Sequence, residues 1–178
     1  MRRREGIEDY DPAMRLAMRL YRDMFVRLGR ARWYSWLSIK LLVPLDRFCY
    51  ERSGGRFSLL HFGAGRATAM PSLLLTTTGR WSGQRRTTPV LYLEDGAGLV
   101  VVGSNFGQPQ HPAWSANLLT NPRATVQIHT ERKDVMARLA SDEEKAALWP
   151  RLLEIYPTWD AYTARTDRSF RAFFLEPT

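Results

Sequence analysis

Short strand-like segments separated by turn residues make up most of the chain after residue 72. They read LLLTTT (73–78), TTPVLYLE (87–94), LVVVGS (99–104), RATVQIHT (123–130), RKDVMARLA (132–140) and SFRAFFLE (169–176). Asp95-Gly96 between the second and third is a strong hairpin signal. Closely spaced antiparallel strands of this length restrict the fold, and they predict a small β-barrel.

Helical segments interrupt these strands. HPAWSANLL (111–119) predicts a short helix with Pro112 near its first position, after a loop at 105–110. Ser141 and Glu144 form a capping box that begins a helix extending to about Ile155. A further short helix is expected over Trp159–Arg165. The expected fold class is therefore α+β, mainly β.

The N-terminal part of the chain has the pattern of a basic amphipathic helix and not of strands. Residues 12–32 have helical periodicity, and one face carries Met14, Met18, Tyr21, Phe25 and Leu28. The apolar, Trp-rich stretch 33–45 is shorter than the roughly 20 residues that span a bilayer. Residues 1–66 hold 14 Lys and Arg against 7 Asp and Glu, whereas residues 67–178 hold 12 against 11. This basic amphipathic helix predicts either peripheral contact with an anionic membrane or packing on the barrel.

These patterns divide the chain into a basic helical extension (1–50) and a barrel domain (51–178), with a linker-like stretch over 51–72. The N-terminus lacks a signal-peptide pattern and Cys49 is the single cysteine, so a cytoplasmic location is expected. The three histidines share no ligand spacing, so no metal site is expected. Nucleic-acid binding is not expected either, because the N-terminal arginines lie opposite an apolar stripe.

The stretch TTTGRWSGQRR (76–86) places three arginines around one turn. Gly79 and Gly83 permit backbone conformations in which several N–H groups point into one concavity. Arg80 and Arg86 supply fork-shaped donors for phosphate or carboxylate oxygens. Neutral donors come from Ser82, Thr87 and Thr88. The turn therefore predicts a cradle for an anionic group, and the alternative is a hairpin whose arginines face water.

A flat apolar slot is expected beside this turn. Pro89 and the strand Leu99–Gly103 would form its wall, and Ser104, Asn105 and Gly107 offer donors at the end of the strand. Trp114 is expected in the core, as large apolar side chains usually are.

Three blocks in this order carry a family resemblance: LLLTTTGRWSGQRRTTPVLYL, VVVGSNFGQPQHPAWSANLLTNPRATVQI and LWPRLLEIYPTWDAYTARTDR. Over about residues 50–178 the chain resembles the deazaflavin-dependent nitroreductases, also described as coenzyme F420-dependent quinone reductases of actinobacteria. The resemblance implies a split β-barrel that binds F420, a deazaflavin with a ribityl chain, a phosphate and an oligoglutamate tail.

The resemblance also implies roles for individual residues. Arg80, Ser82, Gly83 and Arg86 match positions that hold the anionic tail of the cofactor. Trp81 stands where the family usually has lysine, and Arg85 is the nearby cation that compensates. Thr88 and Pro89 are added from the residue patterns described above. The expected cofactor site is therefore Arg80, Trp81, Ser82, Gly83, Arg85, Arg86, Thr88, Pro89, Val102, Ser104, Asn105 and Asn117. The last four lie beside the ring or the ribityl chain in the family.

In the third block, Tyr156, Trp159 and Tyr162 have a spacing that is more typical of core packing than of a pocket. The family places aromatic side chains of this segment on the substrate side of the ring, and Trp159 replaces a common tyrosine. The expected proton source is solvent, Tyr156 or Ser104.

The sequence thus predicts an F420-dependent oxidoreductase that transfers a hydride to a quinone, an enone or a nitroaromatic compound. A lipophilic quinone would connect this activity with a membrane-associated N-terminus. The alternatives are an FMN-binding split barrel and a non-catalytic module that binds a membrane surface.

Overall fold

The computed structural model describes residues 11–29, 31, 37, 40–41, 43–52 and 71–178. In these ranges the α-helices are α1 (Pro12–Gly29), α2 (Val43–Arg52), α3 (Ala113–Thr120), α4 (Asp142–Ile155) and α5 (Thr158–Thr163). The strands are β1 (Ser72–Thr78), β2 (Arg85–Asp95), β3 (Gly98–Val102), β4 (Arg123–Ile128), β5 (Glu131–Leu139) and β6 (Ala172–Pro177). The linker expected over 51–72 lies largely outside the described residues.

The six strands close into an antiparallel barrel in the order β1-β2-β3-β6-β5-β4, and β4 pairs with β1. Closure leaves no exposed sheet edge. The expected mainly β, α+β fold and its barrel are confirmed. Several boundaries were predicted wrongly: for example, β3 ends at Val102, so Ser104 lies in the following loop, β4 ends at Ile128 rather than at 130, and β6 begins at Ala172 rather than at 169.

The barrel interior contains one of two apolar clusters. Strand residues alternate in direction, so every second side chain of β1, β2 and β3 points inward. Leu75, Tyr92, Val101 and Phe173 lie there and are at most 1% exposed. Trp114 of α3 packs edge-on against Phe173, with ring centroids 5.9 Å apart, as expected for a core residue. Pro112 precedes α3 as its cap and is not its first helical residue.

The second cluster lies on the outer surface of the barrel, where α4 and α5 cover β2, β3 and β6. Val100 and Leu152 are fully buried in it. Burial of one such leucine contributes about 1.5–3 kcal/mol. The capping box that begins α4 is confirmed: Glu144 N–H donates to Ser141 Oγ, and Ser141 N–H donates to the Glu144 carboxylate. Arg138 of β5 donates two hydrogen bonds to Glu144, which fixes α4 to the barrel.

The predicted N-terminal helix is present as α1, for which Pro12–Gly29 are described. α1 lies beside α5, and α2 lies beside β2. The side chains of Met14, Met18, Tyr21 and Phe25 are outside the described ones, and most of the stretch 33–45 is too. Within the described ranges, no helix combines the length and the apolar character needed to cross a bilayer.

Candidate active site

The β1–β2 turn contains fewer residues than the arginine-rich stretch 76–86. Strand pairing continues to Thr78 and Arg85, so the turn itself comprises Gly79–Gln84. Gly79 N–H donates to the Gln84 carbonyl, and Gly83 N–H donates to the Gly79 carbonyl, both at 2.8 Å. A Cβ at Gly79 would lie 2.7 Å from Ser82 Oγ. The added Cβ would also lie 3.2 Å from the Gln84 carbonyl oxygen, so a side chain would fit here only if the Ser82 hydroxyl rotated and the turn shifted slightly.

A buried asparagine fixes this turn to the barrel. Asn117 of α3 is 4% exposed. Its Oδ1 accepts a hydrogen bond from Arg80 N–H, and its Nδ2 donates to Thr77 Oγ1, each at 3.1 Å. The second residue of the turn is thus held by a helix that lies far away in the sequence.

The three arginines of the turn region are exposed. Arg80 stacks on Trp81, with the guanidinium carbon 5.3 Å from the ring centroid. Arg85 donates to Thr125 Oγ1 at 2.6 Å, and Thr125 donates to Asp134 at 2.8 Å. No carboxylate of the described residues forms an ion pair with Arg80, Arg85 or Arg86. The turn region therefore carries three positive charges without a direct counter-charge in the described part of the chain.

An open cleft of about 490 Å³ begins at Arg85 and runs over the outer surface of β1, β4 and β5. Its other lining residues are Thr76, Thr87, Thr125, Arg132, Lys133 and Asp134.

The pairing of β2 with β1 shows that the expected cofactor residues on β2 lie on two faces of the strand. Pro89 pairs with Leu74 and, like Arg85, points outward, whereas Thr88 pairs with the core residue Leu75. Arg86 and Thr88 therefore share the opposite face of β2.

The loop after β3 has an unusual backbone. Asn105, Phe106 and Gly107 are consecutive residues with positive φ, at 47°, 55° and 71°. Left-handed conformations are uncommon for residues that carry a Cβ. Asn105 Nδ2 donates to the Gln110 carbonyl at 2.8 Å, and the Ser104 side chain caps no helix. This loop brings the expected donors Ser104 and Asn105 to the end of β3.

Arg168 is a residue of this site that the sequence analysis missed. Its guanidinium donates to the carbonyls of Gly103, Ser104 and Gln108 at 3.1, 2.5 and 2.8 Å. It also lies 3.2 Å from His111 Nδ1. Burial, with the neighbouring charges of Arg171 and Arg168, lowers the pKa of His111 below its ordinary value. A neutral His111 accepts the hydrogen bond at Nδ1.

The third block is a buried aromatic cluster. Tyr156, Trp159 and Tyr162 are 8%, 3% and 1% exposed. The hydroxyls of Tyr156 and Tyr162 are 3.2 Å apart, and burial raises the pKa of the Tyr156 phenol above its ordinary value. Tyr162 contacts Phe106, with ring centroids 6.3 Å apart. The structure therefore joins the second and third blocks through the loop after β3.

The model of the F420H(2)-dependent quinone reductase family matches residues 50–177. The chain belongs to this family. It is 37% identical over 141 residues to the F420H(2)-dependent quinone reductase Rv1261c of Mycobacterium tuberculosis, covering 78% of this chain and 91% of the relative. Its fold matches a solved F420-H2 dependent reductase (FDR-A) with a TM-score of 0.55 and 36% identity, over 60% of this chain and 94% of that one.

A second solved structure, described as a domain-swapped dimer, has a TM-score of 0.57 and 32% identity over 75% of this chain and 99% of that one.

The expected cofactor residues of this family member lie in three parts of the fold. The turn carries Arg80, Trp81, Ser82 and Gly83, β2 carries Arg85, Arg86, Thr88 and Pro89, and the end of β3 with α3 carries Val102, Ser104, Asn105 and Asn117. Trp81 is 88% exposed, whereas Val102 is 7% exposed within the outer cluster.

Proposed function

We propose that Arg80 and Arg86 hold the anionic tail of F420, and that the loop after β3 lines its ring. Family membership makes the chain an F420-dependent oxidoreductase with reduced F420 as its hydride donor and a quinone as its acceptor. Enones and nitroaromatic compounds are electron-poor acceptors of the same kind, and we include them in the proposed substrate range.

The observation that carries this proposal is the set of exposed arginines around the β1–β2 turn. Like charges held close together raise the free energy of the folded chain unless an anion lies among them. Arg80 and Arg86 have no carboxylate partner in the described part of the chain. The backbone of the turn between them is hydrogen-bonded to Asn117 at Arg80 N–H. A phosphate and carboxylate tail has the charge and the acceptor geometry that guanidinium groups bind.

F420 supplies the hydride chemistry when it is bound, and the protein binds, orients and shields. The turn would fix the tail, which places the ring at the end of β3. The cluster of Tyr156, Trp159 and Tyr162 excludes water from the neighbouring core. Such orientation accounts for a large part of catalysis when two reactants must meet.

We further propose Ser104 as the hydroxyl that hydrogen-bonds to the reacting groups. Its side chain is partly buried on the loop, and no described residue accepts or donates a hydrogen bond there. The Tyr156 hydroxyl is buried and already paired with Tyr162. In this proposal Tyr156 shapes the substrate side of the pocket together with Trp159 and Tyr162, and its proton stays in place.

The activity is tested by supplying reduced F420 and a soluble quinone to the purified protein and following oxidation of the deazaflavin. FMN is titrated in parallel, because its single phosphate is the alternative anion for the same arginines. Turnover with reduced F420 and weaker binding of FMN support the proposal. Tight binding of FMN without binding of F420 would replace it with a flavoprotein.

A second proposal concerns the N-terminal helix, which we place on the anionic inner face of the cell membrane in an otherwise cytoplasmic protein. Leu16, Leu20 and Met24 follow one another at four-residue steps on α1 and are 59%, 61% and 47% exposed. α1 also carries four arginines against one aspartate. An exposed apolar line on a basic helix is typical of interfacial binding, and it would bring the site close to a lipophilic quinone.

The membrane proposal is tested by sedimentation with vesicles that contain anionic phospholipid. Leu16→Ser with Leu20→Ser should lose most of the bound fraction while F420 affinity is retained. Leu139→Ser, an exposed leucine of β5, is the matched control. Equal sedimentation of the α1 variant and the control would refute peripheral contact through α1.

A further inference from the structure

We propose that Arg168 is a positioning residue, which holds the loop Gly103–Gln108 in the conformation that presents Ser104 and Asn105 to the cofactor. The inference deepens the proposed function and rests on it for the identity of the ligand. Arg168 lies between α5 and β6, about 60 residues along the chain from the loop that it binds.

The loop does not hold this conformation by local preference. Three consecutive residues have positive φ, and two of them, Asn105 and Phe106, carry a Cβ. Such conformations persist only where surrounding contacts determine them, and they are concentrated at ligand sites. The loop therefore needs an external constraint.

Arg168 supplies this constraint from one side. Its hydrogen bonds reach the carbonyls of Gly103, Ser104 and Gln108, so a single side chain binds both ends of the loop. The planar guanidinium has five N–H donors in a fixed arrangement, which a lysine ammonium cannot reproduce. Its guanidinium also stacks on the Phe170 ring, 4.7 Å from the ring centroid.

Helix α5 supplies the constraint from the other side. A Cβ at Gly107 would lie 3.1 Å from the Tyr162 carbonyl oxygen and 3.2 Å from Tyr162 Cα. The Phe106 ring packs against the Tyr162 ring. The loop is thus fixed between Arg168 and Tyr162, which sets the distance between the donors of the loop and the aromatic cluster.

The test compares Arg168→Gln, Arg168→Lys and the control Arg171→Gln in the full chain. Arg171 is a neighbouring cation whose backbone carbonyl, not its side chain, binds Gly103 N–H. Amide hydrogen exchange is measured without cofactor, and F420 affinity, kcat and KM for the quinone are measured separately. In Arg168→Gln we expect about ten-fold faster exchange at residues 104–108 with unchanged exchange in β1 and β4.

The same variant should bind F420 about ten-fold more weakly, and kcat should fall more than KM changes. Arg168→Lys should recover part of these losses, and Arg171→Gln should show none. Unchanged exchange at 104–108, or an equal increase throughout the barrel, would overturn the positioning role. If the wild-type protein fails to bind F420, the proposed function fails, while the exchange measurement still decides whether Arg168 holds the loop.

Discussion

Asn117 accepts a hydrogen bond from the backbone N–H of Arg80, although 37 residues separate them in the chain. The same side chain donates to Thr77 Oγ1, so one amide connects α3 with the last inward residue of β1 and the first arginine of the turn. A buried polar contact therefore ties the β1–β2 turn to α3.

Asn117→Leu should destabilise the protein and weaken F420 binding together. The leucine has similar volume, but it leaves Thr77 Oγ1 and Arg80 N–H without their partner, at a cost of about 1–3 kcal/mol. Urea unfolding measures the first effect and fluorescence titration the second, where we expect roughly a ten-fold loss. Asn121→Leu, at the end of α3, is the control. A stable variant with unchanged affinity would show that the turn forms without Asn117.

Gly83→Ala and Gly96→Ala form a matched pair that separates strain from function. Both glycines have positive φ, at 66° and 58°, and neither has an atom within 4 Å of an added Cβ. Each substitution should cost about 1 kcal/mol of stability for the same conformational reason. Gly83 lies in the cradle and Gly96 in the distal hairpin, so F420 affinity should fall only for Gly83→Ala. Equal losses of affinity would contradict the location of the tail.

The stability of the loop after β3 should decrease on acidification. The pKa of His111 is lowered in the folded protein, so the unfolded chain binds more protons between that value and about 6.5. The contribution of neutral His111 is complete above about pH 6.5 and is lost as pH falls through the lowered pKa. Exchange at residues 104–108 measured from pH 7.5 to 5 should show this loss. His111→Gln should reduce the pH dependence, while His129→Asn, in the β4–β5 turn, should retain it.

Ser104→Ala should lower kcat/KM for the quinone by roughly 100-fold, because a positioned hydrogen-bond donor to charge that develops in the transition state contributes about this much. Tyr156→Phe removes one neutral hydrogen bond to Tyr162 and should lower it by at most about ten-fold. Steady-state rates with reduced F420 at saturation measure both. The reverse order would assign this hydrogen-bonding role to Tyr156.

Much of the fold could be predicted from the sequence because its signals are local. The hairpin at Asp95-Gly96 and the capping box of Ser141 and Glu144 depend on neighbouring residues, and both are present. The order of the strands around the barrel was not predictable in this way. β6 lies between β3 and β5, and that pairing is decided by long-range packing of Phe173 and Leu175 in the interior.

The site was only partly predictable for a similar reason. The turn could be predicted because its glycines indicate a tight backbone and its arginines indicate an anionic ligand. Arg168 acts on a loop about 60 residues earlier in the chain, and nothing in TARTDR (163–168) indicates that contact. The loop itself has a local signal, since Asn105-Phe106-Gly107 precedes two prolines and favours an irregular backbone. That signal does not indicate which distant residue stabilises the loop.

The most direct measurement is a fluorescence titration of the cofactor-free protein with oxidised F420, for the wild type and for Arg80→Ala with Arg86→Ala. We expect tight, salt-sensitive binding by the wild type and a loss of at least about 100-fold in the double variant, since hydrogen bonds to charged groups contribute about 1.5–3 kcal/mol each. Arg132→Ala with Lys133→Ala, two exposed cations of β5, controls for net charge and should change affinity little. Equal affinity of the wild type and the Arg80/Arg86 variant would mean that the tail of F420 is held elsewhere.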